Sequence, residues 1–191
     1  MIIPRLKQWL SGEPAGLTPA PAAARLRILM VCTGNICRSP TAEGVLRHKL
    51  AQAGLGAAIH VGSAGTQGYH TAEPPDPRAV RAAAARGYDL SRLRARPLRP
   101  EDFQQFDVLL AMDQTHLAWM AKRRPPQASG QIGLLMPLAR RHRAVAEVPD
   151  PYYGGPAGFE HVLDLGEDAC DGILERLAQQ KPLLDAADAR R

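Results

Sequence analysis

Cys32 and Arg38 bound one short stretch, Val31-Cys32-Thr33-Gly34-Asn35-Ile36-Cys37-Arg38-Ser39-Pro40, and side chains of these two types at this spacing can act on a phosphoryl group. A thiolate is a strong nucleophile, and a planar guanidinium can hold two phosphoryl oxygens at once. The apolar run Ile28-Leu29-Met30-Val31 leads in, and a helical pattern follows, so the stretch reads as strand, loop, helix. A loop curled in this way turns its backbone N–H groups inward at a helix N-terminus and makes a nest for a tetrahedral oxyanion. Thr33, Gly34, Asn35, Ile36, Cys37, Arg38 and Ser39 would supply that nest. The same field favours a thiolate, so Cys32 is expected to titrate well below the ~8.5 of a free cysteine. Ser39 is placed to donate a hydroxyl hydrogen bond back to the sulfur. The chemistry this points to is phosphoryl transfer through cysteine. A Cys-x5-Arg-Ser pattern alone is common; the full string behind a buried-type strand is far more specific. The bland alternative is a strand–turn–helix whose cysteine only packs.

Thiolate attack on a phosphate monoester needs a proton donor for the leaving oxygen. The 19 acidic residues and 6 histidines all compete for that part. Asp150 stands out by context, in Val148-Pro149-Asp150-Pro151-Tyr152-Tyr153-Gly154-Gly155. Flanking prolines stiffen the segment, and a carboxyl beside aromatic rings is partly desolvated, which suits a general acid. A plain surface turn remains the other reading of this Asp-Pro pair.

The elements that must position these groups follow from periodicity. A strand over residues 27–31 is apolar on both faces, as a buried parallel strand is. Ser39 then Pro40 predicts an N-cap and a first-position proline, with Ala42, Val45, Leu46, Leu50 and Ala53 as the apolar stripe and Gly54 as the stop. Residues 59–63 alternate and read as an edge strand. Asp76-Pro77 repeats the cap and proline, and Gly87 ends that helix. Two further strands are expected at 108–112 and 132–136, with a helix near 113–123 between them. A long amphipathic helix carries Phe159, Val162, Leu163, Ala169, Cys170, Ile173, Leu174 and Leu177, with Cys170 on its core face. Alternating strands and helices imply a parallel sheet covered on both faces, with the loop at the carboxyl end of its first strand.

The rest of the sequence narrows the setting. With 191 residues, 45% of them hydrophobic and 23% charged, the chain suits one globular domain plus some extra sequence. Residues 1–25 read as an extension and Pro/Ala/Gly-rich linker, 26–182 as the catalytic domain and 183–191 as a tail. No run approaches a membrane helix, and three cysteines suggest no disulfide framework. A cytoplasmic setting is expected, since a thiolate catalyst prefers a reducing compartment. The net charge of +5 comes mostly from arginine groups such as Arg92, Arg94, Arg96, Arg99 and Arg140, Arg141, Arg143. Without aromatic interleaving they point to solvated surface rather than to nucleic acid, although they could steer acidic phosphopeptides. No metal-ligand spacing and no nucleotide-binding lysine motif occurs, so no metal and no cofactor are expected.

Val31 to Pro40, followed far downstream by Asp150-Pro151-Tyr152-Tyr153 and Gly158-Phe159-Glu160-His161-Val162-Leu163-Asp164-Leu165, resembles the bacterial low-molecular-weight protein tyrosine phosphatases from about Arg27 to Leu177. That resemblance implies a three-layer α/β sandwich with a four-stranded parallel sheet in the order 2-1-3-4. It implies Cys32 as the nucleophile forming a cysteinyl phosphate, Arg38 as the phosphate clamp, and Asp150 as acid and then base. Tyr152 and Tyr153, with Tyr69 opposite, would wall a pocket deep enough for phosphotyrosine. The substrate would be a tyrosine-phosphorylated protein, with a bacterial tyrosine kinase as one candidate, and inorganic phosphate would be product and competitive ligand. Asn35 is expected in the left-handed conformation with Ser63 as its partner. Family members often carry a histidine where this chain has Leu93, which puts that support network in question. A thiol-dependent arsenate reductase of the same fold is an alternative, although residues 88–100 hold no relay cysteine. A catalytically silent phosphotyrosine-binding module is another. Cys32 and Cys37 share one curled loop, so a reversible disulfide between them is expected under oxidation.

Overall fold

The computed structural model describes residues 24–183. Residues 1–23 of the expected extension and 184–191 of the expected tail lie outside the described residues.

Strand β1, Leu26–Cys32, is buried along its whole length. Its side chains alternate between two cores. Ile28, Met30 and Cys32 join one hydrophobic cluster, while Leu29 and Val31 join another on the opposite face. A strand covered on both faces must be apolar throughout, which is why it reads as a run rather than as an alternation. Each of its large side chains stabilises the fold by roughly 1.5–3 kcal/mol on burial. The partners are β2, Ile59–Gly65, β3, Val108–Ala111, and β4, Gln131–Leu134. All pair in parallel in the order β2-β1-β3-β4, the order expected. β2 is an edge strand, and its register puts Ser63 beside Met30 and Gly65 beside Cys32.

Helix α1, Arg38–Gln52, lays Ala42, Val45, Leu46 and Leu50 on the first core, and Gly54 leaves it with φ +70°. Its start corrects the expectation. Cys37 occupies the N-cap position with no side-chain cap, and Ser39 and Pro40 already lie inside the first turn. The Ser39 hydroxyl is engaged with Cys32 and Asn35, so the leading N–H groups of the helix stay open. Pro40 is tolerated there because a first-turn N–H would have no intrahelical acceptor. Helix α2, Pro77–Ala85, begins as expected: Asp76 accepts from the Arg78 N–H, and Gly87 follows with φ +85°.

A single turn that the periodicity does not announce, α3, Asp102–Gln105, precedes β3. Helix α4, Gln114–Arg123, follows β3 and is capped by Asp113. β4 stops at Leu134, short of the expected Met136, and a 3₁₀ turn, Met136–Leu138, replaces its end. Pro137 explains this, since it has no N–H for a ladder. Helix α5, Pro156–Ala178, packs on α1 and α2.

α5 also fixes the approach to the Asp150 segment. Its Asp168, 1% exposed, accepts from the Arg141 N–H and Nε and from the His142 N–H and Nδ1 at 2.8–3.2 Å. Those bonds hold the carboxyl well below the usual range despite its burial. Several of the basic groups therefore serve the fold rather than a partner: Arg96 bonds Asp102 at 2.8 Å, and Arg140 bonds Glu175 at 2.9 Å. No helix among the described residues is long and apolar enough to cross a membrane.

Candidate active site

The loop between β1 and α1 sits at the carboxyl edge of the sheet, where the crossovers of an open parallel sheet leave room for a ligand. Cys32 is 3% exposed at its start, and its Sγ lies 3.0 Å from the Ser39 Oγ. Among the described residues, no backbone N–H from Thr33 to Ser39 donates to a protein acceptor. The loop instead gives its carbonyls away. Thr66 N–H bonds the Cys32 carbonyl, Gln67 N–H that of Thr33, and Asp76 N–H that of Ile36. With these carbonyls engaged by neighbouring segments, the amides of the loop are left as open donors, and open backbone donors in a curled loop are what holding an oxyanion requires. Gly65 permits this closeness: a Cβ there would stand 2.5 Å from the Thr33 carbonyl oxygen.

Asn35 has φ +58°, as expected, and is 1% exposed. Its Nδ2 donates to the Ser39 and Ser63 hydroxyls at 2.8 Å each, and its Oδ1 accepts from the Arg96 N–H at 3.0 Å. Ser63 passes its own proton to Glu43 Oε2 at 2.6 Å. The chain Glu43–Ser63–Asn35–Ser39–Cys32 is thus continuous without a histidine. Leu93 packs against the first hydrophobic cluster instead. Burial pushes the Glu43 carboxyl above its ordinary range, and the bond from Ser63 partly offsets that. Glu43 escapes a sequence reading, although it lies four residues after Ser39 and hence on the same helix face.

Arg38 is 4% exposed, and both its terminal nitrogens are engaged. Nη1 donates to Asp113 Oδ2 at 2.8 Å and to the Val148 carbonyl at 3.2 Å. Nη2 donates to Asp150 Oδ2 at 2.7 Å and lies 3.4 Å from the Thr33 hydroxyl. Asp113 is another residue the sequence reading passed over as a bearer of chemistry. Its signal is position, directly beyond the carboxyl end of a buried strand. Its carboxyl is held far below the usual range, against its own burial, by bonds from His116 and Thr115.

Asp150 therefore meets Cys32's loop across a separation of 112 residues from Arg38. It is steadied by Arg38 and by its own turn, accepting from the Tyr152 N–H at 3.1 Å, and its side chain is half exposed. Tyr69, Tyr152 and Tyr153 stand at the surface, 76%, 39% and 97% exposed. Tyr152 and Tyr153 meet edge to face at 5.0 Å. Arg78 braces the first of them: its guanidinium lies over the Tyr152 and Phe159 rings, bonds Asp76 and reaches the Gly154 carbonyl.

Cys32, Cys37 and Cys170 are all free thiols. Burial, with the nearby Asp76 charge, pushes the Cys37 thiol up to about 12. Cys170 lies in the core as expected, with its thiol pushed up by burial.

The family model described as low molecular weight phosphotyrosine protein phosphatase matches residues 27–183. A low molecular weight protein-tyrosine-phosphatase of Streptomyces coelicolor is 40% identical over 158 residues, spanning 81% of this chain and 94% of its own. The low molecular weight phosphotyrosine protein phosphatase 2 of Drosophila melanogaster is 38% identical over 152 residues, spanning 78% of this chain and 90% of its own. A crystal structure of a protein tyrosine phosphatase from Entamoeba histolytica, with Hepes in the active site, superposes with a TM-score of 0.77. It is 36% identical over 81% of this chain and 97% of its own.

Proposed function

The chain belongs to the low-molecular-weight phosphotyrosine protein phosphatase family, and from that premise we propose that Cys32, Arg38 and Asp150 carry its hydrolysis of phosphotyrosine. One observation carries the assignment: a buried thiol bonded to Ser39 lies at the start of a loop whose amides from Thr33 to Ser39 have no protein acceptor among the described residues. Such donors, fixed before the substrate arrives, stabilise charge on the equatorial phosphoryl oxygens without reorganising.

In the reaction, the Cys32 thiolate attacks phosphorus in line, the bond from phosphorus to the phenolic oxygen breaks, and Asp150 gives that oxygen its proton. The product is tyrosine and a cysteinyl phosphate. The Asp150 carboxylate then takes a proton from water as the water attacks phosphorus. The sulfur–phosphorus bond breaks, and phosphate leaves with the thiolate restored. Ser39 steadies that thiolate as leaving group. Arg38 keeps Nη1 on Asp113 and the Val148 carbonyl. Its Nη2 exchanges Asp150 for a phosphoryl oxygen, so binding the substrate also frees the acid for the leaving oxygen. Tyr69, Tyr152 and Tyr153 flank the entering ring, which favours phosphotyrosine over the shorter phosphoserine.

The substrate is a tyrosine-phosphorylated protein, a bacterial tyrosine kinase being one chemically suitable class, and inorganic phosphate competes for the same loop. Three free cysteines fit a reducing, cytoplasmic setting. The test is hydrolysis of aryl phosphates and of matched phosphotyrosine and phosphoserine peptides. Wild type should cleave the phosphotyrosine peptide at least about a hundredfold faster, a ratio of transition-state stabilisation. Cys32→Ser should be inactive on every substrate. Activity retained by Cys32→Ser would overturn the nucleophile, and equal rates on the two peptides would overturn the rim.

A further inference from the structure

Behind the phosphate loop lies a buried histidine that the mechanism above does not use. His116, in the first turn of α4, is 2% exposed, and its Nε2 is 2.8 Å from the Thr33 hydroxyl. Its Nδ1 lies 2.9 Å from Asp113 Oδ1, off the line of a hydrogen bond. The bond to Thr33 is therefore the aligned one that this ring makes among the described residues.

The proton positions follow from the neighbours. Asp113 Oδ1 is an acceptor beside Nδ1, which places the imidazole proton on Nδ1 and leaves Nε2 as the acceptor. The Thr33 O–H must then donate to His116. Its remaining lone pairs face Arg38 Nη2 at 3.4 Å, while Arg38 Nη1 donates to Asp113 Oδ2 at 2.8 Å. Arg38, Thr33, His116 and Asp113 thus close a ring, drawn from the loop and from the N-terminus of α4. Asp113 also accepts from the His116 N–H at 3.0 Å, so the helix start and the ring are built on the same carboxylate.

Two consequences bear on the phosphatase reaction. The Thr33 proton is committed to His116, so the Thr33 oxygen is left to accept from Arg38. The Arg38 fork, being planar, is fixed in orientation once both terminal nitrogens have defined neighbours. We propose that His116 is a positioning residue, acting through the Thr33 hydroxyl to hold Arg38 in the plane needed by the transferring phosphoryl group. The proposal rests on the phosphotyrosine reading of the site but goes beyond it, because His116 bonds Thr33, and among the described residues makes no hydrogen bond to Cys32.

The test uses the full chain with p-nitrophenyl phosphate, and compares inhibition by vanadate, which adopts the five-coordinate shape of the in-line transition state, with inhibition by inorganic phosphate. Thr33→Val is nearly isosteric at an exposed position, so it removes the hydroxyl without disturbing the core. Its kcat should fall about tenfold with KM little changed, the size expected when one hydrogen bond is removed and a buried partner is left unpaired. Vanadate affinity should fall by a similar factor and phosphate affinity by less. Thr33→Ser, which restores the hydroxyl, should recover most of the loss. His116→Ala should match Thr33→Val, and the double variant should lose no more than either alone. Wild-type kcat and vanadate affinity in Thr33→Val, or losses that multiply in the double variant, would overturn the ring. A wild-type chain inert toward aryl phosphates would instead sink the phosphatase reading, and the two oxyanion affinities measured by calorimetry would still decide the ring.

Discussion

The phosphate loop and the rim that faces it are built in opposite ways. In the loop, Cys32, Asn35 and Arg38 are all but fully buried and tied to β2, α1, α4 and the Asp150 segment. At the rim, Asp150 is half exposed, and Tyr69 and Tyr153 stand almost free in solvent. Phosphate is the same in every substrate, so its donors gain from being fixed in advance. The protein surface around each phosphotyrosine differs, and an exposed rim braced at few points can adapt to it. The contrast teaches that damage to the loop should act on catalysis, whereas damage to the rim should act on leaving group and substrate choice.

The largest effect that would sharpen this contrast lies at Asp150, the rim residue proposed as the general acid. Asp150→Ala should slow hydrolysis of unactivated phenyl phosphates by about a hundredfold or more, the usual yield of general acid catalysis. A nitrophenyl phosphate, whose leaving group needs little protonation, should lose far less. Equal loss on both substrates would remove Asp150 from the acid role and make it a structural partner of Arg38.

Oxidation probes the loop from its other end. The Cys37 thiol, pushed up to about 12, keeps its proton at neutral pH, so peroxide should attack the Cys32 thiolate and leave Cys37 to resolve the sulfenic acid as a disulfide. After peroxide and then dithiothreitol, wild type should regain most of its aryl phosphatase activity and Cys37→Ser much less. Equal recovery would make Cys37 structural only.

Rim substitutions should be milder and graded by bracing. Tyr152→Ala, which breaks the stack on Arg78, should lower kcat/KM on a phosphotyrosine peptide by about tenfold, and Tyr153→Ala by about threefold, in line with the usual worth of one aromatic contact. A larger loss for Tyr153 than for Tyr152 would mean that the exposed ring, not the braced one, makes the principal contact.

The smallest effect tests the base of the loop. Glu43 has a carboxyl raised by burial, so it stabilises the fold most below its unfolded pKa of ~4.3 and loses that contribution as pH rises through its folded value. Glu43→Gln should therefore gain thermal stability relative to wild type on going from pH 4 to pH 8. A stability difference that does not change with pH would show that Glu43 does not titrate with folding.

What the sequence by itself determined are features decided within a few residues. The apolar run of β1, the Asp76-Pro77 start of α2 and the stops at Gly54 and Gly87 all depend on local sterics and nearest hydrogen bonds. The curled loop belongs here too, because its glycine, its left-handed Asn35 and its strand–helix setting are contiguous. The sheet order came by likeness to a family rather than from any residue. Tertiary structure alone decided who stands beneath and beside the loop. Glu43 reaches Ser63 only because β2 lies next to β1, and Asp113 and His116 reach Arg38 and Thr33 only because β3 lies on its other side. Ser39 shows the two levels in conflict. By local preference it is a helix cap, yet its hydroxyl serves Cys32 and Asn35, because a buried thiol and a buried amide have no water to turn to and a first-turn N–H facing the loop mouth does.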